Sequence, residues 1–500
     1  MNKKSIIWLF VIIALFLVLR LVISYQTPHL NYEAYDTLRQ LENIQSTGLP
    51  LYYDESSLDG RDKIVSPAYY YFLAFFDLFL DEKTVTKVIP NILAVLLILV
   101  VYKLSLLITQ DENVSLITSF FSGMIPLFWV STINSASVYI AVILLFLLST
   151  YYLLRANKEP KYVFRLMIVL VLLTLTHAIS FVISLGFLIY LALVKIYGFR
   201  ESSREPEIIL FFTLLVTWLN LILYKNAFLS QQSVFVWQNL PQALLTTTYG
   251  EVSLVSTFYS VGAITLILGL IGIYQGLFEK KRKSIALFSS FGLLFSALLA
   301  FRLIEIVLGL LFISFILIIL SSFAIKNFVN KTNAFKFKYA TNIFLVLLIC
   351  LQILTFIPTL LVAQSVALDP PSSSDIEAYN WLGELNETVI VMTSPHEASA
   401  MSYYSKQSFV LDRNFMLIPD VNSVYFDATN IYADRFLTTA LTRLDKYDVN
   451  YILFSEYTQR INEELRFVDD SCITLAFDSS IGNARVYSVN CRIGDRNRED

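Results

Sequence analysis

Two carboxylates, Glu33 and Asp36, stand three positions apart just after the first apolar run of the chain. On a helix that spacing puts both on one face. Such a pair can hold a divalent cation or take a proton from a nucleophile. It can equally be a solvated interfacial helix in which Asp36 pairs with Arg39. Further polar residues crowd the same segment: Asn31, Tyr32, Tyr35, then Asp54-Glu55-Ser56, then Gly60-Arg61, then Ser66-Pro67.

The elements that position these groups follow from composition. Of 500 residues, 56% are apolar and only 15% charged. A soluble domain carries about 25% charged residues, so this chain has too few for a water-facing surface of its size. The apolar residues fall in blocks near the ~20 residues that cross a bilayer. This excludes a soluble enzyme and a disordered chain. A net charge of −3 gives no basic footprint, so no nucleic-acid partner is expected. Three cysteines and three histidines exclude a cysteine-rich zinc site.

The pattern predicts a polytopic α-helical membrane protein with a small extracytoplasmic α/β domain at its C-terminus. The connecting loops 155–165, 195–204, 279–283 and 326–338 are basic, and Lys3 and Lys4 precede the first run. The positive-inside rule makes these cytoplasmic. About eleven spans satisfy that constraint: 5–24, 88–109, 114–132, 137–154, 164–176, 178–194, 207–227, 257–278, 284–300, 303–325 and 340–363. The N-terminus is then cytoplasmic and the tail external, in a multi-pass cell-membrane protein. Residues 67–80 remain as a helix at or dipping into the outer face. Residues 1–365 form the membrane domain, with external segments 25–66 and 229–256, and residues 369–500 form the external domain.

In the tail, Ser374 is read as a helix N-cap with Glu377 as its capping-box partner. Strands are expected near 388–392, 451–454 and 484–489. Runs 472–477 and 484–491 flank a turn at Ile481-Gly482, which places Cys472 opposite Cys491 and predicts a disulfide. A slipped register would leave two thiols instead. Cys350 lies in a span.

The first external loop resembles the catalytic loop of GT-C membrane glycosyltransferases, in particular the oligosaccharyltransferase catalytic subunit and the protein mannosyltransferase group. The resemblance rests on Asn31-x-Glu33, Tyr35, and Arg39 six residues past the acid. It extends to Asp54-x-Ser56, Gly60-Arg61 and Pro67. In the tail, Tyr379-Asn380-Trp381-Leu382 and residues 389–393 resemble the approach to that family's Trp-Trp-Asp-Tyr-Gly acceptor motif. Ser394-Pro395-His396-Glu397 stands where the motif would be, which argues against reading an Asn-x-Ser/Thr acceptor. Asn31 replaces an acid of the family, which bears on metal binding.

The resemblance implies inverting transfer of a sugar from a polyprenyl- or dolichyl-phosphate carrier, on the outer face, to a protein, lipid or glycan acceptor. Its partners are that lipid-linked sugar and the bilayer. Glu33 is the expected base, with Asp36 in reserve, and Glu33 the expected ligand of Mg or Mn. Arg302 is the expected donor-phosphate contact, or else a snorkelling anchor; Arg61 is a second cation option. Glu305, one turn on, could pair with Arg302. Glu251 is the acid of the loop 229–256, either for the site or for solvent. His177 either meets a sugar or phosphate or is a buried histidine satisfied by backbone. Two other readings stay open: a transporter or flippase of lipid-linked glycans, and a non-catalytic relative acting in envelope glycan assembly.

Overall fold

The computed structural model describes residues 2–156, 159–199, 204–279, 282–333, 339–366, 368–468 and 471–493. Parts of the four basic loops therefore lie outside the described residues. The chain divides into two units. One holds residues 1–26, 66–225 and 246–368; the other holds 27–65, 226–245 and 369–500.

The first unit is built of apolar helices. Among the described residues, seven helices are long and apolar enough to cross a membrane: Lys3–Ser24, Glu82–Thr109, Tyr139–Ala156, Arg204–Trp237, Lys283–Ala300, Ile306–Thr332 and Ala340–Val362. The helices Glu112–Ser122 and Pro126–Thr132 meet at 45° and make an eighth if counted as one span. The protein is thus a multi-pass membrane protein, but eleven full-length helices are not found among the described residues. The reasons are local. Residues 161–176 and 180–196 are separate short helices because His177 is extended, with φ −164°. The expected span 257–278 breaks at Gly262, whose φ of 92° no helix admits. Pro126 opens a new helix where the chain bends. Residues 67–80 contain a ten-residue helix, Ala68–Asp77.

Close helix packing needs small residues. A Cβ on Gly272 would stand 2.1 Å from the Leu320 carbonyl oxygen, and one on Gly269 2.8 Å from Leu317. Removing those Cβ atoms lets the helix Ala263–Tyr274 lie directly against its neighbour.

The second unit is α/β. Seven short strands are present: β1 Tyr53–Asp54, β2 Arg61–Asp62, β3 Ile390–Met392, β4 Ser408–Phe409, β5 Tyr451–Phe454, β6 Ile473–Asp478 and β7 Arg485–Val489. β1 and β2 form a small hairpin within the first loop. The other five form one sheet in the order β4-β3-β5-β7-β6. β3 runs parallel to β4 and β5, while β7 runs antiparallel to β5 and β6. β5 is buried along Ile452, Leu453 and Phe454, as a strand covered on both faces must be. The core gathers Leu411, Ile431, Tyr432, Leu441, Leu444, Ile452 and Ile473, with Leu58 of the first loop packed against it. Backbone bonds bind that loop to β4: Phe409 N–H donates to the Ser56 carbonyl at 2.8 Å and Leu58 N–H to the Phe409 carbonyl at 3.0 Å.

Two local expectations need correction. The helix Ser373–Gly383 is capped by Ser372, whose box partner is Asp375. Ser374 instead donates to Glu456 Oε1 at 2.6 Å, and Glu377 takes hydrogen bonds from Ser479 and Ser480 in the β6–β7 turn. The start slipped because Asp375 reaches back to the Ser372 N–H, closing the box two residues earlier than expected.

The hairpin register follows the expected symmetry only near the turn, where Asp478 faces Arg485. A bulge between Leu475 and Phe477 shifts the remainder by one residue, so Thr474 faces Ser488. Cys472 then accepts at its carbonyl from Asn490 N–H rather than facing Cys491. The disulfide Cys472–Cys491 is present nonetheless, with Cα atoms 4.9 Å apart, because Cys491 leaves the ladder beside its partner. It closes a sequence separation of 19 residues. Chain-entropy arguments put the worth of such a loop near 3 kcal/mol. Replacing both cysteines by serine is expected to lower the urea midpoint of the tail. A pair of freely alkylated thiols in unreduced protein would contradict the bridge.

Candidate functional site

Within the second unit, the polar residues of the first loop meet charged residues of the tail. The lower layer is a buried lattice of ions. Arg39, on the helix Ala34–Thr47, donates two hydrogen bonds to Asp54, at 3.0 and 2.5 Å. Such a fork fixes orientation as well as charge. Lys63 stands among three carboxylates: Asp36 at 3.0 Å, Asp54 at 3.1 Å and Asp412 at 3.2 Å. Arg61 pairs with Asp412, and both are buried. Burial alone would lower the Lys63 pKa, but Asp36, Asp412 and Asp54 outweigh it and hold the ammonium above its ordinary value. Burial would likewise raise Asp412, but Lys63 and Arg61 hold its carboxyl well below the usual range.

This answers three sequence expectations. Asp36 pairs with Lys63 and not with Arg39, because Arg39 turns inward to Asp54. Arg61 is buried on Asp412, so its charge is spent inside the unit and not held out for a phosphate. Asn31 contributes its carbonyl, which accepts from Ala34 N–H and starts the turn into the helix.

Above this lattice lies Glu33, the residue before that helix. Its carboxylate accepts from Arg413 at 2.6 Å. Both side chains are about half exposed, at 54% and 52%. The same Arg413 nitrogen stands 3.4 Å from His396 Nδ1. Burial, then the Arg413 charge, push the imidazole pKa down to about 4, so it is neutral near neutrality and Nδ1 can accept. His396 stacks on Tyr457 with ring centres 4.8 Å apart and packs against Tyr32 at 4.9 Å. Asp369 Oδ2 lies 3.9 Å from its other nitrogen, and Asp369 itself pairs with Arg460 at 3.0 Å.

The expected Mg or Mn can be tested against these donors. Among the described residues no three His, Cys, Asp or Glu side chains are grouped to hold a cation. Glu33 faces a guanidinium, Asp36 an ammonium, and Asn31 is neutral. With Arg413 and Lys63 standing on these carboxylates, the donor set around Glu33 in its own unit does not fit a divalent cation, which wants several free anionic oxygens.

Glu397, in the stretch that replaces the family motif, is fully buried; Thr393 donates to it at 3.1 Å. Burial, then nearby Asp375, push its pKa up to about 8.

In the first unit, a second polar group forms on separate elements. Arg302 pairs with Glu251 at 2.6 Å, both well exposed. Arg302 follows the helix Lys283–Ala300 with a φ of 57°. That left-handed conformation costs a residue with a Cβ roughly 1 kcal/mol. Glu305 accepts from the Tyr139 hydroxyl at 2.8 Å. His177 lies edge-on to the Tyr139 ring at 5.7 Å, and its Nδ1 accepts from Ile179 N–H at 3.1 Å. His177 is thus satisfied by backbone at a helix break.

Sequence reasoning passed over Lys63, Asp412 and Arg413, since nothing local links positions 33 and 413. It also passed over Arg20, which had a readable signal: an arginine inside the first span. Arg20 is buried, donating to Asn91 Oδ1 at 2.7 Å and Thr132 Oγ1 at 2.8 Å.

Two predictions follow from the charges. Asp412→Asn takes from Arg61 its carboxylate partner and from Lys63 one of its three, at a cost of about 3–5 kcal/mol; thermal unfolding of the detergent-solubilised protein reads it. Glu397 binds more protons folded, with its pKa of about 8, than unfolded, at about 4.3. Stability therefore falls as pH rises between those values, and the cost is complete above the upper one. Glu397→Gln removes that cost, so its melting temperature should pull ahead of wild type as pH rises from about 5 to about 9. Parallel curves would mean that Glu397 is not neutral when folded.

No family model matches the chain, and no curated protein matches it. Solved structures do. A structure of the Archaeoglobus fulgidus oligosaccharyltransferase tethered to an acceptor peptide aligns at TM-score 0.69 and 14% identity, covering 89% of this chain and 69% of that one. The archaeal oligosaccharyltransferase AglB from the same organism, with an inhibitory peptide and a dolichol-phosphate, aligns at 0.67 and 14%, covering 90% and 70%. ArnT from Cupriavidus metallidurans, bound to undecaprenyl phosphate, aligns at 0.52 and 10%, covering 96% and 98%. The chain therefore has the fold of the GT-C membrane glycosyltransferases.

Proposed function

We propose that the chain is an inverting membrane glycosyltransferase that takes a sugar from a polyprenyl- or dolichyl-phosphate carrier. The observation that carries this reading is the likeness in fold along nearly the whole chain to two proteins captured with such lipid phosphates. The cell side follows from charge: the basic loops face the cytoplasm, and the tail with its disulfide faces the oxidising side.

Glu33 takes the proton of the acceptor nucleophile as that atom bonds to the anomeric carbon. The bond from the anomeric carbon to the phosphate oxygen breaks, and the polyprenyl phosphate leaves with the electron pair. Arg302, exposed and held in a strained backbone, meets the charge that builds on the phosphate. Its pairing with Glu251 gives it an anion to exchange for that phosphate. Asp36 and Arg61 are not given roles in the chemistry, since Lys63 and Asp412 hold them.

Glu33→Gln keeps size and removes the charge. It is expected to abolish transferred glycan and leave the lipid-linked donor to accumulate, at unchanged protein level. Mass spectrometry of lipid-linked and protein-linked glycans, comparing cells complemented with each form, reads both. Wild-type glycan from the variant would overturn the role of Glu33. Arg302→Gln is expected to weaken undecaprenyl phosphate binding by the purified protein about tenfold, the worth of one charge-assisted contact. Unchanged binding would remove Arg302 from the phosphate site.

A further inference from the structure

We infer that Arg413 takes the place of a divalent cation at Glu33: its guanidinium is the cation that the Glu33–His396 pair was built to hold. The inference rests on the proposed glycosyltransferase reading for its meaning but not for its test.

The argument is geometric. One nitrogen of Arg413 lies 2.6 Å from Glu33 Oε1 and 3.4 Å from His396 Nδ1. A carboxylate oxygen and a neutral imidazole nitrogen are the donors a divalent cation would use, and here both face the same guanidinium nitrogen. The histidine is oriented for this. Tyr457 stacks on its ring, Tyr32 packs against it, and Asp369 lies on the side of its other nitrogen. Nδ1 is thereby turned towards Arg413. The remaining carboxylate of the loop, Asp36, has an ammonium of its own in Lys63. At position 31, where a further anionic ligand would stand, the chain has asparagine.

A fixed cation and a metal ion differ in what they do to Glu33. A metal binds through the carboxylate lone pairs and competes with its use as a base. A guanidinium donates hydrogen bonds in the carboxylate plane and leaves the second oxygen open. Oε1 carries the bond to Arg413. Oε2 is then the oxygen that faces an incoming nucleophile. Arg413 is on this view a positioning residue, acting through Glu33.

The test is Mn²⁺ binding by the purified full-length protein, followed by the loss of the free Mn²⁺ electron paramagnetic resonance signal. Four forms are compared: wild type, Glu33→Gln, Arg413→Gln and Arg413→Lys. Wild type and Glu33→Gln should give superimposed titrations. Arg413→Gln removes a positive charge next to the two donors and should retain Mn²⁺ about tenfold more tightly than wild type. That gain should vanish in the double variant Glu33→Gln/Arg413→Gln. Arg413→Lys keeps the charge and should behave as wild type, which separates loss of the cation from loss of the fold. Mn²⁺ held by wild type and released by Glu33→Gln would overturn the inference. So would an Arg413→Gln protein with no gain over wild type. The measurement needs no sugar donor. Failure here with intact undecaprenyl phosphate binding would leave the glycosyltransferase reading standing, and the converse would leave the ion arrangement standing.

Discussion

The second unit depends on Asp412. Its carboxylate answers both Arg61 and Lys63, and Lys63 in turn ties Asp36 and Asp54, which holds Arg39. Three cations and three carboxylates form one connected lattice, all but Asp36 buried. Lattices of this kind contribute little net stability against an apolar core of the same volume, because each ion was taken from water. Their effect is on uniqueness. Here Asp412, just past β4, ties Arg61 and Lys63 of the first loop to the tail.

Glu33 inherits its position from that arrangement. The helix Ala34–Thr47 is fixed by Arg39 below, and its buried face of Leu38 and Leu41 adds apolar contact. Glu33 is therefore presented at the end of a rigid element, where a reactive carboxylate is best held. The tail supplies what a loop alone could not: Arg413 beside the carboxylate, and His396 behind Arg413. His396 faces the ionic group at Glu33, and Glu397 turns into the core as a neutral acid.

The apolar unit uses a different economy. Arg20 bonds Asn91 between helix interiors, but two other polar groups sit at helix breaks. Arg302 ends a helix at positive φ, and His177 parts two short ones. The same breaks that shorten the spans set out the groups a ligand could meet.

Much was legible in the sequence because it was local. Apolar blocks of bilayer length dictate a polytopic helical protein, and the shift in composition near residue 369 marks a separate α/β tail. The order Asn31-x-Glu33, Arg39, Asp54, Arg61 carries the resemblance whose fold the solved structures share. The Cys472–Cys491 pair was legible too, although the register that suggested it is shifted by the bulge and the bridge forms where Cys491 leaves the ladder. What the tertiary structure alone decided is partnership. A residue's type says that it must be compensated when buried but not by which group, and groups nearly four hundred positions apart leave no joint trace in one sequence. Thus Arg39 forks onto Asp54, Arg302 meets Glu251, and Glu33 meets Arg413. The break at His177 was read from the sequence, but the one at Gly262 was not, because a single glycine changes the backbone without changing the hydropathy around it.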